Sequence, residues 1–198
     1  MERLELKMAA KDQIKGNIGM YVVCMLIVSC ISGALGYIPK VGYILSFIFL
    51  SPMILAFARI NLGMTNGEKV QVKSLLESFD DFGKALLLNI LASVFICLWS
   101  ILLVVPGIIK ALSYSMSFYI LAENPDMDAM EALEESKKIM EGHKWEFFVL
   151  LLSFILWDIL GCITWGLAYI YVAPYKNATI ADYYNKIKNE VCVEGEQS

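Results

Sequence analysis

Two charged side chains stand where charge is costly. Asp158 and Lys110 each fall inside a long apolar run. An acid or base within a membrane segment costs roughly 2.5–3.5 kcal/mol on insertion scales, which makes such a residue a functional candidate by default. Asp158 lies thirteen residues beyond Trp145 and Lys110 twelve before Ala122, or about 18–20 Å along their helices, so the two sit at similar depth toward one side. A Lys110–Asp158 pair would neutralise both charges, either as a fixed tie between helices or as part of an ion or proton route. In the alternative, both side chains snorkel to the nearer interface.

Other reactive groups are sparse. His143 is the single histidine. One His cannot assemble a metal cluster, and its place between Gly142 and Lys144 suits a helix junction better than catalysis or pH sensing. Cys24, Cys30, Cys97 and Cys162 lie in apolar segments and Cys192 in the tail, with no C-x-x-C pair, so they read as small hydrophobes. The chain has no phosphate-binding loop, no H-E-x-x-H and no G-x-S-x-G, the spacings that phosphate transfer, zinc hydrolysis and nucleophilic acyl transfer require. The expectation is a protein that is not an enzyme and needs neither cofactor nor metal.

Composition sets the class. Of 198 residues, 58% are hydrophobic and 18% charged, against roughly 45–50% and about 25% in a soluble domain. Mean hydropathy is +0.61 and the pI is near 5.1, which excludes disorder and leaves no basic footprint for nucleic acid. An all-α integral membrane protein is what remains. No Asp, Glu, Lys or Arg occurs between Lys15 and Lys40, Lys40 and Arg59, or Lys84 and Lys110, intervals close to the ~20 residues that a spanning helix needs. Six spans are predicted, at about 17–36, 42–62, 84–105, 107–122, 145–160 and 165–182, forming one membrane domain over residues 1–188. Residues 189–198 read as a disordered polar tail. Breaks are expected at Pro39, Pro106 and Gly161–Gly166. With both termini inside, the charged residues other than Lys40, Lys110 and Asp158 fall on the cytosolic side, as the positive-inside rule requires of the basic ones. The first residues mix Glu2, Glu5 and Asp12 with bases and precede no cleavage site, so they read as a retained amphipathic helix rather than a signal peptide.

The inner segments repeat. Charged stretches at Met1–Lys15, Glu68–Phe82 and Asp126–Lys144 each lead into an apolar hairpin, which suggests a triplicated unit whose interfaces are candidate sites. In the third stretch, Asn124-Pro125-Asp126 is a helix start signal. Met130, Leu133, Ser136 and Met140 recur at helical spacing opposite Glu131, Glu134 and Lys138. That stripe is the candidate surface for a cytosolic protein partner. It could equally lie on the bilayer or cover the protein's own helix ends.

One set of motifs carries a family resemblance. Val105-Pro106-Gly107-Ile108-Ile109-Lys110-Ala111, Ser113-Tyr114-Ser115-Met116, Asn124-Pro125, Met140-Glu141-Gly142-His143-Lys144-Trp145 and Pro174-Tyr175 followed by Tyr183-Tyr184 resemble the uncharacterised bacterial membrane-protein family known as domain of unknown function 975. A more distant similarity, in layout only, is to the membrane portion of some glycerophosphodiester phosphodiesterases. The family resemblance implies a multi-pass protein of a bacterial cytoplasmic membrane with no assigned reaction and no catalytic residue to carry over. The expected function is a non-enzymatic membrane component that binds lipid or a protein partner, with homo-oligomers open. The alternative is a small transporter or channel working at the hairpin interfaces.

Overall fold

A computed structural model describes residues 2–14, 16–38, 41–164 and 168–195. It comprises α1 (Glu2–Ile14), α2 (Ile18–Gly36), α3 (Gly42–Thr65), α4 (Lys73–Glu77), α5 (Phe82–Leu102), α6 (Val104–Ser113), α7 (Ser117–Glu123), α8 (Ala129–Ile139), α9 (Lys144–Leu152), α10 (Ile155–Ile163) and α11 (Tyr169–Gly195), with no strand among the described residues. The expected break at Pro39, the charge of Lys40 and the start of the last span at Trp165 and Gly166 lie outside the described residues.

Five segments are long and apolar enough to cross a membrane: Ile18–Gly36, Gly42–Thr65, Phe82–Ile101, Val104–Glu123 and Lys144–Ile163. They coincide within a few residues with the first five expected spans. The sixth expected span falls on α11, which is outside that group because Lys176, Asp182, Lys186 and Lys188 punctuate it. This helix runs on to Gly195, past Asn189, where the polar tail is expected to begin.

Two of the five segments are bent. Val104–Glu123 is divided into α6 and α7 at Tyr114–Met116, and Lys144–Ile163 into α9 and α10 at Ser153–Phe154. The expected break at Pro106 moves to Leu103, whose backbone is extended (φ −160°, ψ 140°). Pro106 instead sits in the first turn of α6, where a missing N–H leaves no bond unmade.

Glycine closes the hairpins. A Cβ at Gly107 would overlap Ser100 of α5, one at Gly42 the Leu35 carbonyl of α2, and one at Gly161 the Tyr169 ring of α11. At Gly42 and Gly107 the missing side chain lets two backbones approach closely, the packing that apolar surroundings favour, and at Gly161 it makes room for the Tyr169 ring. α3 is the axis of the bundle, with α2, α5, α7 and α11 packed around it. It contributes Leu55, Ala58 and Leu62 to a core shared with α5, α7, α8, α9 and α11. Its Met53, Ala56 and Ile60 join a second core with α1 and α2. The residues facing away, such as Ile31, Leu98, Ile101 and Leu156, form a wide exposed apolar surface of the kind a bilayer covers.

Gly107→Val should force α5 and α6 apart and cost ~1–3 kcal/mol. Val104→Ala, at an exposed position nearby, should be close to neutral. Thermal melts of the detergent-solubilised protein separate the two outcomes.

Candidate functional site

Asp158 does find a basic partner, on the adjacent helix. Lys176 Nζ of α11 lies 2.7 Å from Asp158 Oδ2 of α10, with the two side chains 28% and 29% exposed. Tyr169 Oη donates to the Asp158 carbonyl at 3.3 Å. Asp158 stands five residues before the end of α10 and Lys176 seven into α11, about 8–10 Å from the hairpin turn in each case. Equal depth on the two arms of a hairpin brings the charges together.

Of the arrangements open for these two charges, the Lys110–Asp158 pair is therefore corrected: Asp158 pairs with Lys176 and not with Lys110. Lys110 stands over the Trp99 ring at 5.2 Å and near Tyr114 at 5.9 Å, an aromatic cradle for a cation. The Gly107 crossing sets this, because it holds α6 against α5 and turns Lys110 toward Trp99. Lys176 was missed because it counts naturally among the inner basic residues. The signal that would have found it is its position inside the last apolar run, only a few turns from Asp158.

Beside this pair runs a groove of about 400 Å³ between α6, α9, α10 and α11. Ile108, Leu112, Phe147, Leu151, Leu152 and Ile155 line its length, and Asp158 and Lys176 close one end. Ile108, Leu152 and Ile155 are exposed, so the groove opens sideways onto the apolar surface of the bundle.

The amphipathic helix α8 has a built N-terminus. Asp128 and Glu131 form a capping box, with the Asp128 N–H donating to Glu131 Oε2 at 3.2 Å. Its apolar stripe is not a free surface. Leu133, Ser136 and Met140 are buried, at 2%, 0% and 0% exposure, against α5 and α7. These three expected partner-binding residues are thus corrected to the protein's own core, and Met130 alone of the four is exposed. Ser136 has a specific task there. Its hydroxyl donates to the Ser113 carbonyl at 2.8 Å and accepts the Met116 N–H at 3.2 Å, two backbone groups that the α6–α7 bend takes out of the helical ladder.

A charged layer holds the far end of α11. Glu123 accepts from Tyr184 Oη at 2.8 Å and pairs with Lys188 at 2.5 Å. Lys186 pairs with Glu146 at 3.3 Å. His143 Nδ1 lies 4.0 Å from Glu146 and 3.9 Å from Glu190, and its carbonyl accepts from Tyr183 Oη at 3.1 Å. The histidine thus stands at the α8–α9 junction. α1 lies along α11, with Gln13 donating to Asp182 at 2.9 Å and Lys7 reaching Ser153 Oγ at 2.7 Å beside the Phe154 ring. Among the described residues no three His, Cys, Asp or Glu side chains gather to hold a metal ion, and Cys24, Cys30, Cys97 and Cys162 are free thiols.

A family model described as "Protein of unknown function (DUF975)" matches residues 1–113 and 101–191, and the chain belongs to that family. No curated protein and no solved structure matches it.

Two measurements check this geometry. Asp158→Asn and Lys176→Met should each lower the melting midpoint by more than the double variant does relative to either, leaving a coupling of about 1 kcal/mol. Ser136→Ala should cost ~1–3 kcal/mol by stranding two buried backbone groups, whereas Met130→Ala should leave the melt unchanged.

Proposed function

We propose that this DUF975 member is a non-enzymatic multi-pass membrane protein that binds membrane lipid in the groove between α6, α9, α10 and α11. One observation carries the reading. A laterally open apolar channel of about 400 Å³ ends on a charged pair of both signs, Asp158 and Lys176. Acyl chains suit the walls, and a phosphate beside a headgroup amine suits the two charges at its end.

The membrane arrangement that goes with this reading has six spans, α11 being the sixth. Lys176 would then be held within the bilayer by its pairing with Asp158. Both termini lie on the cytosolic side of a bacterial cytoplasmic membrane, following the distribution of Lys and Arg. Three hairpins, each closed by a glycine at Gly42, Gly107 or Gly161 and preceded by α1, α4 or α8, support a threefold repeat. A cytosolic protein partner would meet the exposed side of α8, where Met130, Glu131 and Glu134 stand, rather than its buried stripe. The transporter alternative needs an ionisable group free to exchange its partner. The Asp158–Lys176 pair favours binding over transport, since the two charges hold each other in place at 2.7 Å while both remain part-exposed to a headgroup.

Native mass spectrometry of the protein extracted gently from its own membrane tests the proposal. A retained phospholipid is expected, with occupancy lowered by Leu152→Trp, which fills the groove from an exposed position. Equal lipid retention by wild type and variant, or solute flux through liposomes carrying the purified chain, would overturn it.

A further inference from the structure

The groove between α6, α9, α10 and α11 has a direction. Its charged end, at Asp158 and Lys176, lies near the α10–α11 turn, and its apolar lining runs back along α9 to Phe147. Eleven residues separate Phe147 from Asp158, about 16 Å of helix rise. A lipid seated there has its head toward the α10–α11 turn and an acyl chain lying along α9. It therefore comes from the leaflet on the side of that turn.

The charged end keeps bonding capacity beyond its own pair. Lys176 Nζ uses one N–H on Asp158 Oδ2, at 2.7 Å, and an ammonium carries three. Asp158 Oδ1 accepts no hydrogen bond from the described residues and keeps some open surface. Both side chains line the groove and are more than a quarter exposed. An acceptor and two donors thus stand side by side, the complement of an ammonium and a phosphate joined by a short arm.

Charge narrows the occupant further. Asp158 and Lys176 are the charged members of the lining, one of each sign, and Lys110 is turned onto the Trp99 ring. A zwitterionic head leaves the sum at zero, whereas an anionic head would leave a surplus negative charge in apolar surroundings, which is costly. A choline head is also zwitterionic, but its trimethylammonium has no N–H to give Asp158 Oδ1. A primary ammonium has three. Lys176, Asp158, the ammonium and the phosphate then alternate in sign around a ring, joined by charge-assisted bonds of about 2.7–2.9 Å. By contrast, a second cavity of about 290 Å³ under Asn61, between α3, α7 and α11, is lined by uncharged residues and answers neither charge.

We propose that the groove, within the lipid-binding reading on which this rests, selects a phospholipid with a primary-ammonium head, of the phosphatidylethanolamine class. Its ammonium donates to Asp158 Oδ1 and its phosphate accepts from Lys176 Nζ.

The test is a titration of the purified full chain, read by native mass spectrometry. The probes are dioleoyl lipids that share their acyl chains and differ in the head: phosphatidylethanolamine, its N,N-dimethyl form, phosphatidylcholine and phosphatidylglycerol. One equivalent of phosphatidylethanolamine should bind about tenfold more tightly than the choline or glycerol lipid, the value of one charge-assisted hydrogen bond. The dimethyl form keeps one N–H and should bind like phosphatidylethanolamine, so affinity should drop at loss of the last N–H. The double variant Asp158→Asn/Lys176→Met should bring the lipids to one affinity, and Leu152→Trp should weaken them all alike. Equal affinities in wild type, all weakened by Leu152→Trp, would overturn the head assignment and leave the groove reading standing. So would tighter binding of phosphatidylglycerol, or a preference that survives in a folded double variant. No saturable adduct, or binding unmoved by Leu152→Trp, would overturn both readings.

Discussion

In apolar surroundings a backbone carbonyl or N–H can bond only to groups of its own chain, and that constraint organises the rest of this structure. It makes every long apolar run a helix, and it turns each interruption of a helix into a site needing side-chain help. At the α6–α7 bend the help comes from Ser136, which bonds the Ser113 carbonyl and the Met116 N–H. Local hydroxyls do similar work, with Ser115 bonding the Leu112 carbonyl at 2.7 Å and Ser117 the Tyr114 carbonyl at 2.7 Å. At the α9–α10 bend, Ser153 bonds the Leu150 carbonyl at 2.5 Å, and Lys7 of α1 reaches the same hydroxyl. The amphipathic helices are therefore part of how the bent segments stay folded. Burial of the α8 stripe follows from this, since a serine that supports a bend must lie inside the bundle.

The bends in turn shape the two cavities. Ser115, at the α6–α7 bend, borders both the groove beside α9 and α10 and the pocket under Asn61. A straight helix would carry its side chains past this point at regular spacing and fill one space or the other. Interrupting it leaves a gap on each side, one ending on a charged pair and one lined by neutral amides and rings. The same stretch of chain thus separates two environments that differ in charge.

α11 joins the apolar and charged halves of the molecule. Its first part pairs Lys176 with Asp158, its middle takes Gln13 from α1, and its last part is tied by Glu123 and Glu146 through Lys188 and Lys186. Tyr183 and Tyr184 stack on Phe147 and Tyr119, with ring centroids 5.3 Å and 5.6 Å apart. These aromatic contacts fix the rotation of the helix, and with it the side on which Lys176 and Asn177 present their polar groups.

The amino-acid sequence alone determined the class of protein, the first five apolar segments to within a few residues and the family, because length, hydropathy and local motifs are properties of contiguous residues. It also marked Asp158 as exceptional, since an acid in an apolar run is visible without a structure. It could not supply Lys176 as the partner, the burial of Leu133, Ser136 and Met140, or the hydrogen bond from Asn177 to Tyr21. Those depend on helix rotation and crossing. They are set by where a missing Cβ lets two backbones touch, as at Gly107, and by which buried polar groups must find one another. Periodicity says that a helix has an apolar side, but packing selects what that side faces, and here α8 faces its own chain. The long, charge-punctuated α11 shows the same limit: its polar residues read locally as the end of a membrane segment, yet they continue one helix, in which Lys176, Lys186 and Lys188 each meet an acid on another element.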